Sequence, residues 1–269
     1  MRARADRRAC DRAESRVPAA LSADLALGAT GRATEAGGRA VISIIVPVLD
    51  ESRILPRFLA QFEAMPPGYE LLVVDGGSGD GSLELLQLAK HVLPGLRVLS
   101  APAGRARQMN AGACEAKGQI LLFLHVDTFL PPEGPAGIEE AIAAGAVGGR
   151  FKVRMSGSGL AYRLVEAGIN FRDRLTGGFT GDQGIFLRRD VFEALEGFPE
   201  MPLCEDVEFV RRLKRVGPLA SLHPPVITSS RRYERWGPVR TALRMWLIKG
   251  LYLAGLRPEL LSRLYPDVR

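Results

Sequence analysis

The first clear pattern begins at Val41. Val41-Ile42-Ser43-Ile44-Ile45-Val46-Pro47-Val48 is an almost unbroken apolar run, β-branched and short, which predicts a strand buried on both faces. Pro47 sits near its end, where a missing N–H is tolerated. A helical period follows from Glu51 to about Ala64, with Ile54, Leu55, Phe58, Leu59 and Phe62 on one face and Pro66-Pro67-Gly68 as its stop. The alternation continues with strands at 70–74, 96–99 and 119–124 and helices at 82–91 and 104–117. Beyond Asp127 it loosens into a helix at 133–143, strands at 149–154 and 184–187, helices at 190–195 and 206–216, and a final helix at 235–254. Strands alternating with amphipathic helices predict an α/β domain: a mostly parallel central sheet flanked by helices, with a C-terminal helical tail. Ligands of such sheets sit beyond the C-terminal strand ends, and both Asp75 and Asp127 fall there.

Composition adds boundaries. Met1 to Gly38 contains no Ile, Phe, Tyr or Trp, so residues 1–40 are expected to be a disordered Arg- and Ala-rich leader. Residues 41–269 are expected to be one domain. Its nucleotide-binding half is about 41–130, its acceptor-side half about 131–230, and its basic amphipathic tail 231–269. The net charge of +6 is unevenly spread. The leader carries 8 bases and 5 acids, residues 41–210 carry 15 bases and 22 acids, and residues 211–269 carry 13 bases and 3 acids. An acidic body with a basic tail argues against nucleic acid as a partner and for a local phosphate or anionic-membrane site. Three scattered cysteines without a CxxC make neither a disulfide framework nor a zinc site. Together with the lack of a secretory h-region and of any long uncharged apolar run, this points to the cytoplasm, with peripheral contact at the inner membrane face as an option.

Three motifs can carry chemistry. Asp75-Gly76-Gly77-Ser78 follows a strand. A carboxylate there can accept hydrogen bonds from a ribose or base, and glycines let backbone N–H groups approach phosphate. A tight turn capped by Asp80 explains the same residues. In Leu121-Leu122-Phe123-Leu124-His125-Val126-Asp127-Thr128 the two-residue spacing sends His125 and Asp127 to one side of a strand end. One carboxylate plus substrate phosphates suffices for Mg²⁺ or Mn²⁺. His125 is then either a second ligand, a diphosphate contact or a core histidine. The third motif is Thr180-Gly181-Asp182-Gln183-Gly184, followed by Cys204-Glu205-Asp206-Val207-Glu208-Phe209. Glu205 and Asp206 open a helix, so they serve either as dipole-compensating acids or as a general base for an incoming hydroxyl. Cys204 as a thiol nucleophile is the weaker rival, because no histidine motif accompanies it.

In this order SIIVPVLDE, LLVVDGGSGDGS, GRARQMNAGA, ILLFLHVDT, GDQGIFLRRDVF and CEDVEF resemble the family 2 glycosyltransferases of GT-A fold, over about residues 42–216. The HVDT, GGRF, GDQG and SSRRYERWG stretches look most like a bacterial subfamily labelled radical-SAM/selenoprotein-domain-associated transferase. The resemblance implies an inverting transfer of sugar from a nucleotide-diphosphate sugar, with a UDP-sugar favoured, to an acceptor hydroxyl. It implies that Pro47, Val48, Asp50 and Glu51 border the nucleotide and that Asp75, with Gly76 beside it, contacts the base or ribose. Asn110 and Arg105 would line the nucleotide site. Asp127 would hold the metal, and Asp206, with Glu205, would supply the base. Gly181, Asp182 and Gln183 fall on the acceptor side, and Arg231 and Arg232 would close over the donor phosphates. The sequence departs from the pattern at His125, where many relatives carry an acid; this changes the ligand set and leaves Asp127 in place.

A sugar nucleotidyltransferase is the alternative within the same sheet architecture. It should show a Gly-rich loop ending in Arg and Lys after the first strand, where this chain has Val48-Leu49-Asp50-Glu51-Ser52. A non-catalytic sugar-nucleotide or membrane-binding module is a third reading. For residues 236–256, apolar positions interrupted by Arg240, Arg244 and Lys249 suit an interfacial helix, and equally a helix packed on the domain or in a homodimer.

Overall fold

A computed structural model describes residues 41–264, except 64, 66, 67 and 94. The expected leader lies outside the described residues. One eight-stranded sheet organises the chain, in the order β3-β2-β1-β4-β7-β6-β8-β5. Its first half is the predicted α/β alternation: β1 Ile42–Val48, α1 Leu55–Glu63, β2 Tyr69–Asp75, α2 Ser82–Ala89, β3 Leu96–Ser100, α3 Arg105–Glu115 and β4 Ile120–Phe123. β3, β2, β1 and β4 are parallel neighbours, with Val48 beside Asp75 at the C-terminal ends.

The continuous apolar runs have a simple cause. Ile44, Val46 and Val73 pack on one sheet face with Phe58 and Phe62 of α1. Ile45, Leu72 and Val74 pack on the other with Met109 and Ala113 of α3. With both faces covered, the strands are apolar at nearly every position, Ser43, Glu70 and Asp75 being the exceptions in β1 and β2.

The second half is mixed. It contains β5 Thr128–Phe129, α4 Gly134–Ala143, β6 Gly148–Met155, α5 Leu160–Thr176, a 3-10 turn at Gly181–Gln183, β7 Ile185–Arg188, α6 Arg189–Ala194, α7 Glu205–Leu213 and β8 Leu219–Thr228. β7 runs antiparallel to β4 and β6, and β8 runs parallel to β6 and antiparallel to β5. The sheet is thus parallel where the nucleotide half was expected and mixed beyond it. β8 was not foreseen because His223-Pro224-Pro225 interrupts it. The register steps from Phe151–Leu222 to Val153–Val226, so these three residues bulge out of the ladder.

The expected single tail helix is two helices, α8 Arg231–Trp236 and α9 Pro238–Leu253, followed by α10 Pro258–Ser262. Gly237, at φ 83°, separates α8 from α9 in a backbone region that glycine adopts readily. No described helix is long and apolar enough to cross a membrane.

Candidate active site

The ends of β1 and β2 build one rim. Asp75 is 2% exposed, and its Oδ2 accepts the N–H groups of Gly77 at 2.9 Å and Ser78 at 3.1 Å. The carboxylate therefore first shapes its own loop. That loop is tied to the one after β1: the Asp50 N–H donates to Ser78 Oγ at 2.9 Å, the Gly79 N–H to Asp50 Oδ1 at 2.9 Å, the Glu51 N–H to Ser82 Oγ at 2.9 Å and the Ser52 N–H to Asp80 Oδ2 at 2.9 Å. Loss of some hydration works against the charge of the exposed Asp80. The Ser82 hydroxyl and the Ser52 and Ser82 N–H groups outweigh it and hold this carboxyl well below the usual range.

Beneath the rim lies a residue that the motif reading passed over. Gln108 of α3 is buried, and its Nε2 donates to Val48 O at 2.7 Å and to Val74 O at 2.8 Å. It clasps the two strand ends that carry the loops. A Cβ at Gly76 would stand 3.0 Å from the same Nε2, so this glycine admits the clasp. The signal was present in GRARQMNAGA, but a glutamine in a helix names no partner.

Across the cleft, β4 runs out at His125 and Asp127. The turn is held by the Thr128 N–H on His125 O at 3.0 Å, and the Ser229 N–H at the end of β8 donates to Asp127 O at 3.1 Å. The Asp127 side chain is 29% exposed and accepts from Arg231 Nη2 at 3.3 Å; the same nitrogen lies 3.5 Å from Glu51 Oε2. Arg231 thereby joins the β1 rim to the β4 turn. Among the described residues no group of three or more His, Cys, Asp or Glu side chains could hold a metal ion. The partly exposed Asp127 carboxylate fits a hard divalent cation held jointly with substrate phosphates. His125 is a poorer ligand for such an ion because a hard cation prefers oxygen to imidazole nitrogen. Burial, then the positive charges of Arg105 and Arg232, push its imidazole down to about 3, so it is neutral.

The acceptor-side residues converge on Gly181. Its N–H donates to Asp206 Oδ2 at 2.7 Å, and a Cβ there would lie 2.8 Å from His125 Nε2 and 3.6 Å from Asp206 Oδ2. A glycine is what lets histidine and carboxylate approach the same point. Asp206 Oδ1 also accepts the Val207 N–H at 2.7 Å. Asp206 thus satisfies a first-turn N–H from inside the helix whose N-cap is Cys204, and each carboxylate oxygen has one hydrogen bond with a lone pair left for another. Glu205 is buried, and Arg105 Nη1 lies 3.1 Å from its Oε1. Burial pushes the Glu205 carboxyl up, Arg105 opposes this, and the Asp206 charge adds to it. Asp182 is pushed up by burial, then by the charges of Asp206 and Asp173, against a hydrogen bond from Thr180 Oγ1 at 2.5 Å. Cys204 precedes the pair at φ 67°, a left-handed strained conformation for a non-glycine residue.

Other expected site residues are engaged elsewhere. The Asn110 side chain pairs with Phe198 through both ends of its amide, at 2.8 Å to O and 2.9 Å from N. Gln183 is fully buried; its Nε2 donates to Asp173 Oδ2 at 2.6 Å and its Oε1 accepts the Thr180 N–H at 3.2 Å. Both brace the scaffold in this geometry. Val48 is buried, and its carbonyl is held by Gln108, while Pro47 is half-buried within β1.

A mixed α/β sheet with carboxylates at its strand ends and an acidic helix start facing them defines a sugar-transferase architecture of GT-A type. The profile of Glycosyl transferase family 2 matches residues 43–195, and the chain belongs to that family. An undecaprenyl-phosphate 4-deoxy-4-formamido-L-arabinose transferase of Pseudomonas fluorescens (strain Pf0-1) is 28% identical over 243 residues, covering 80% of this chain and 70% of the relative. One from Edwardsiella ictaluri (strain 93-146) is 31% identical over 156 residues, covering 55% of this chain and 48% of the relative. The chain thus spans about half the length of several curated relatives it matches. Among solved structures, the mannosyltransferase PcManGT from Pyrobaculum calidifontis, in complex with GDP-Man and Mn²⁺, aligns with a TM-score of 0.62 at 19% identity, over 83% of this chain and 67% of that one. S. aureus TarS 1–349 in complex with UDP aligns at 0.54 and 16%, over 83% of this chain and 69% of that one. These structural likenesses carry the fold.

Proposed function

We propose that this chain transfers a sugar from a nucleoside-diphosphate sugar to an acceptor oxygen by a single displacement that inverts the anomeric centre. The observation that carries this reading is the convergence on Gly181: Asp206 Oδ2 lies 2.7 Å from its N–H, and His125 Nε2 lies where an added Cβ would meet it at 2.8 Å. Glu205 and Arg105 stand beside that point, with the Asp127–Arg231–Glu51 link at the strand-end side of the cleft.

In the forward step the acceptor hydroxyl oxygen forms a bond to the anomeric carbon as the bond from that carbon to the donor diphosphate breaks. The hydroxyl proton passes to the Asp206 carboxylate, and the electron pair of the broken bond leaves with the diphosphate. Asp206 is suited to hold that proton because its two backbone hydrogen bonds fix its orientation. Arg105 keeps Glu205 occupied, so the neighbouring acid does not compete for the hydroxyl. Arg231 and Arg232 offer guanidinium groups for the diphosphate, and Arg231 exchanges its carboxylate partners for phosphate oxygens. Asp127 would hold a divalent cation, Mg²⁺ or Mn²⁺, which supplies charge neutralisation to the leaving diphosphate. The rim made by Asp50, Asp75 and Gly76 would receive the nucleoside, with Asp75 acting first through the shape of its loop.

The names of the curated relatives support a lipid phosphate as acceptor. A phosphate that arrives as the monoanion still carries one proton, which Asp206 would take as the new bond forms. The nucleotide-bound neighbours carry GDP-Man and UDP, which sets the donor panel.

The test is to incubate the chain with UDP- and GDP-sugars, Mg²⁺ or Mn²⁺, and either short hydroxyl glycosides or a polyprenyl phosphate. A glycosylated acceptor of inverted configuration, formed with equimolar nucleoside diphosphate, is expected. Binding of nucleotide sugars with no product for any acceptor would favour the non-catalytic reading. Conversion of the nucleotide sugar to nucleoside triphosphate and sugar 1-phosphate when pyrophosphate is added, with no glycosylated acceptor formed, would contradict glycosyl transfer.

A further inference from the structure

The exposed large apolar side chains of the described residues are concentrated on one part of the surface, formed by α5, α9 and α10. On α5, Leu164, Phe171 and Leu175 are exposed by 63%, 63% and 70%; on α9, Leu243, Leu247 and Leu253 are exposed by 58%, 60% and 60%. Both helices also bury an opposite face. Val165 and Ile169 of α5 meet Ala242 of α9 and strand β6 in one cluster, and Ile248 of α9 packs with Cys204 and Val207 at the start of α7. Tyr252 fastens this end through its hydroxyl to Glu208 Oε2 at 3.0 Å. The helices are therefore held by packing, and their outward apolar rows are surplus to it. Packing on the domain, one of the expected readings of 236–256, accounts for the buried face of α9 and leaves its outward row unaccounted for.

The exposed charges on the outward faces of α5 and α9 are basic, whereas Lys249 of α9 is turned inward towards Asp173, Asp182 and Asp206 and α10 carries Glu259. α9 contains Arg240, Arg244 and Lys249 and no acid. The two acids of α5, Glu166 and Asp173, are buried and ion-paired with Arg163 and Arg172. Arg235 and Arg244 lie 5.8 and 5.9 Å from the Trp236 ring. Leucines and a tryptophan surrounded by arginines are what an anionic bilayer surface complements: acyl chains for the apolar row, phosphates for the guanidinium groups. A two-fold contact with a second copy would set these arginines against their own equivalents.

We propose that the joint face of α5 and α9 docks on a membrane surface bearing anionic headgroups. Docking would place α9 between the bilayer and the start of α7, on which its buried face packs through Ile248. The surface is argued independently of the reading of the site.

The test is flotation of the full chain with vesicles of phosphatidylcholine alone and of equal parts phosphatidylcholine and phosphatidylglycerol. Flotation with the anionic vesicles, weakened by salt, is expected. Arg240→Ala should lower the bound fraction about fivefold. The double variant Leu164→Glu, Leu247→Glu should abolish binding while keeping the wild-type melting transition and donor turnover, since both side chains are exposed. Absence of wild-type flotation on anionic vesicles would overturn the proposal. A wild-type dimer in light scattering that the double variant dissociates, with vesicle binding unaltered, would also overturn it and assign the face to a second copy. Loss of donor turnover without loss of flotation would bear on the site and leave the docking face standing.

Discussion

Arg231 places one nitrogen, Nη2, 3.3 Å from Asp127 Oδ2 and 3.5 Å from Glu51 Oε2, so a single guanidinium spans the two sides of the cleft. The arginine is exposed by 42%, and ion pairs of this kind add little to stability. Its value lies in being movable. Arg231→Ala is expected to leave the melting curve within about 0.5 kcal/mol of wild type and to lower kcat/KM for the donor by about 10²-fold. Steady-state kinetics on a variant of verified stability checks this; unchanged kinetics would remove Arg231 from phosphate recognition.

Gly181 tests the approach of His125 and Asp206. An added Cβ would meet His125 Nε2 at 2.8 Å, well inside contact distance. Gly181→Ala should therefore destabilise the fold by about 1–3 kcal/mol and depress transfer more than donor binding. Denaturant unfolding together with nucleotide titration separates the two effects.

Cys204 lies next to the proposed base without sharing its chemistry. Burial, then the charges of Asp206 and Glu205, push its thiol up to about 12. Little thiolate exists at neutral pH, so alkylation of Cys204 mapped by mass spectrometry should be slow in the native protein and fast after unfolding. Cys204→Ala should keep transfer near wild type, whereas its abolition would revive the thiol nucleophile.

Glu70 governs acid stability from the far end of the sheet. Burial opposes its charge, but the Ser43 hydroxyl at 2.7 Å, the Lys117 N–H at 2.7 Å and Arg97 at 2.6 Å more than compensate, and its carboxyl sits below the ordinary 4.5. A depressed folded-state pKa stabilises above the unfolded value, and that contribution is lost as pH falls through and below about 4.5. Glu70→Gln should lower stability at pH 7 by about 1–2 kcal/mol and should flatten the acid limb. Melting temperatures from pH 7 to pH 3 read both.

The parallel half of the fold was legible because strands covered on both faces leave continuous apolar runs, as at Ile42–Val48. The acidic start of α7 and the Asp127 turn were legible as residue types in order. α5 was hidden because its apolar residues fall on two sides: Val165 and Ile169 inward, Leu164 and Phe171 outward. No single stripe marks such a helix. Residue type also failed to reveal which partner claims a side chain. Asn110 was read toward the nucleotide, yet the Phe198 backbone takes both ends of its amide. Gln108, two residues earlier, holds the strand ends that carry the rim.

The most direct measurement is transfer and donor binding by Asp206→Asn, side by side. The substitution keeps size and can keep the Gly181 hydrogen bond while removing the base, and it gives up the bond from the Val207 N–H. The account predicts a fall in kcat of about 10²–10⁴-fold, with nucleotide-sugar affinity close to wild type and stability lowered by only about 1 kcal/mol. Full activity in Asp206→Asn would contradict it.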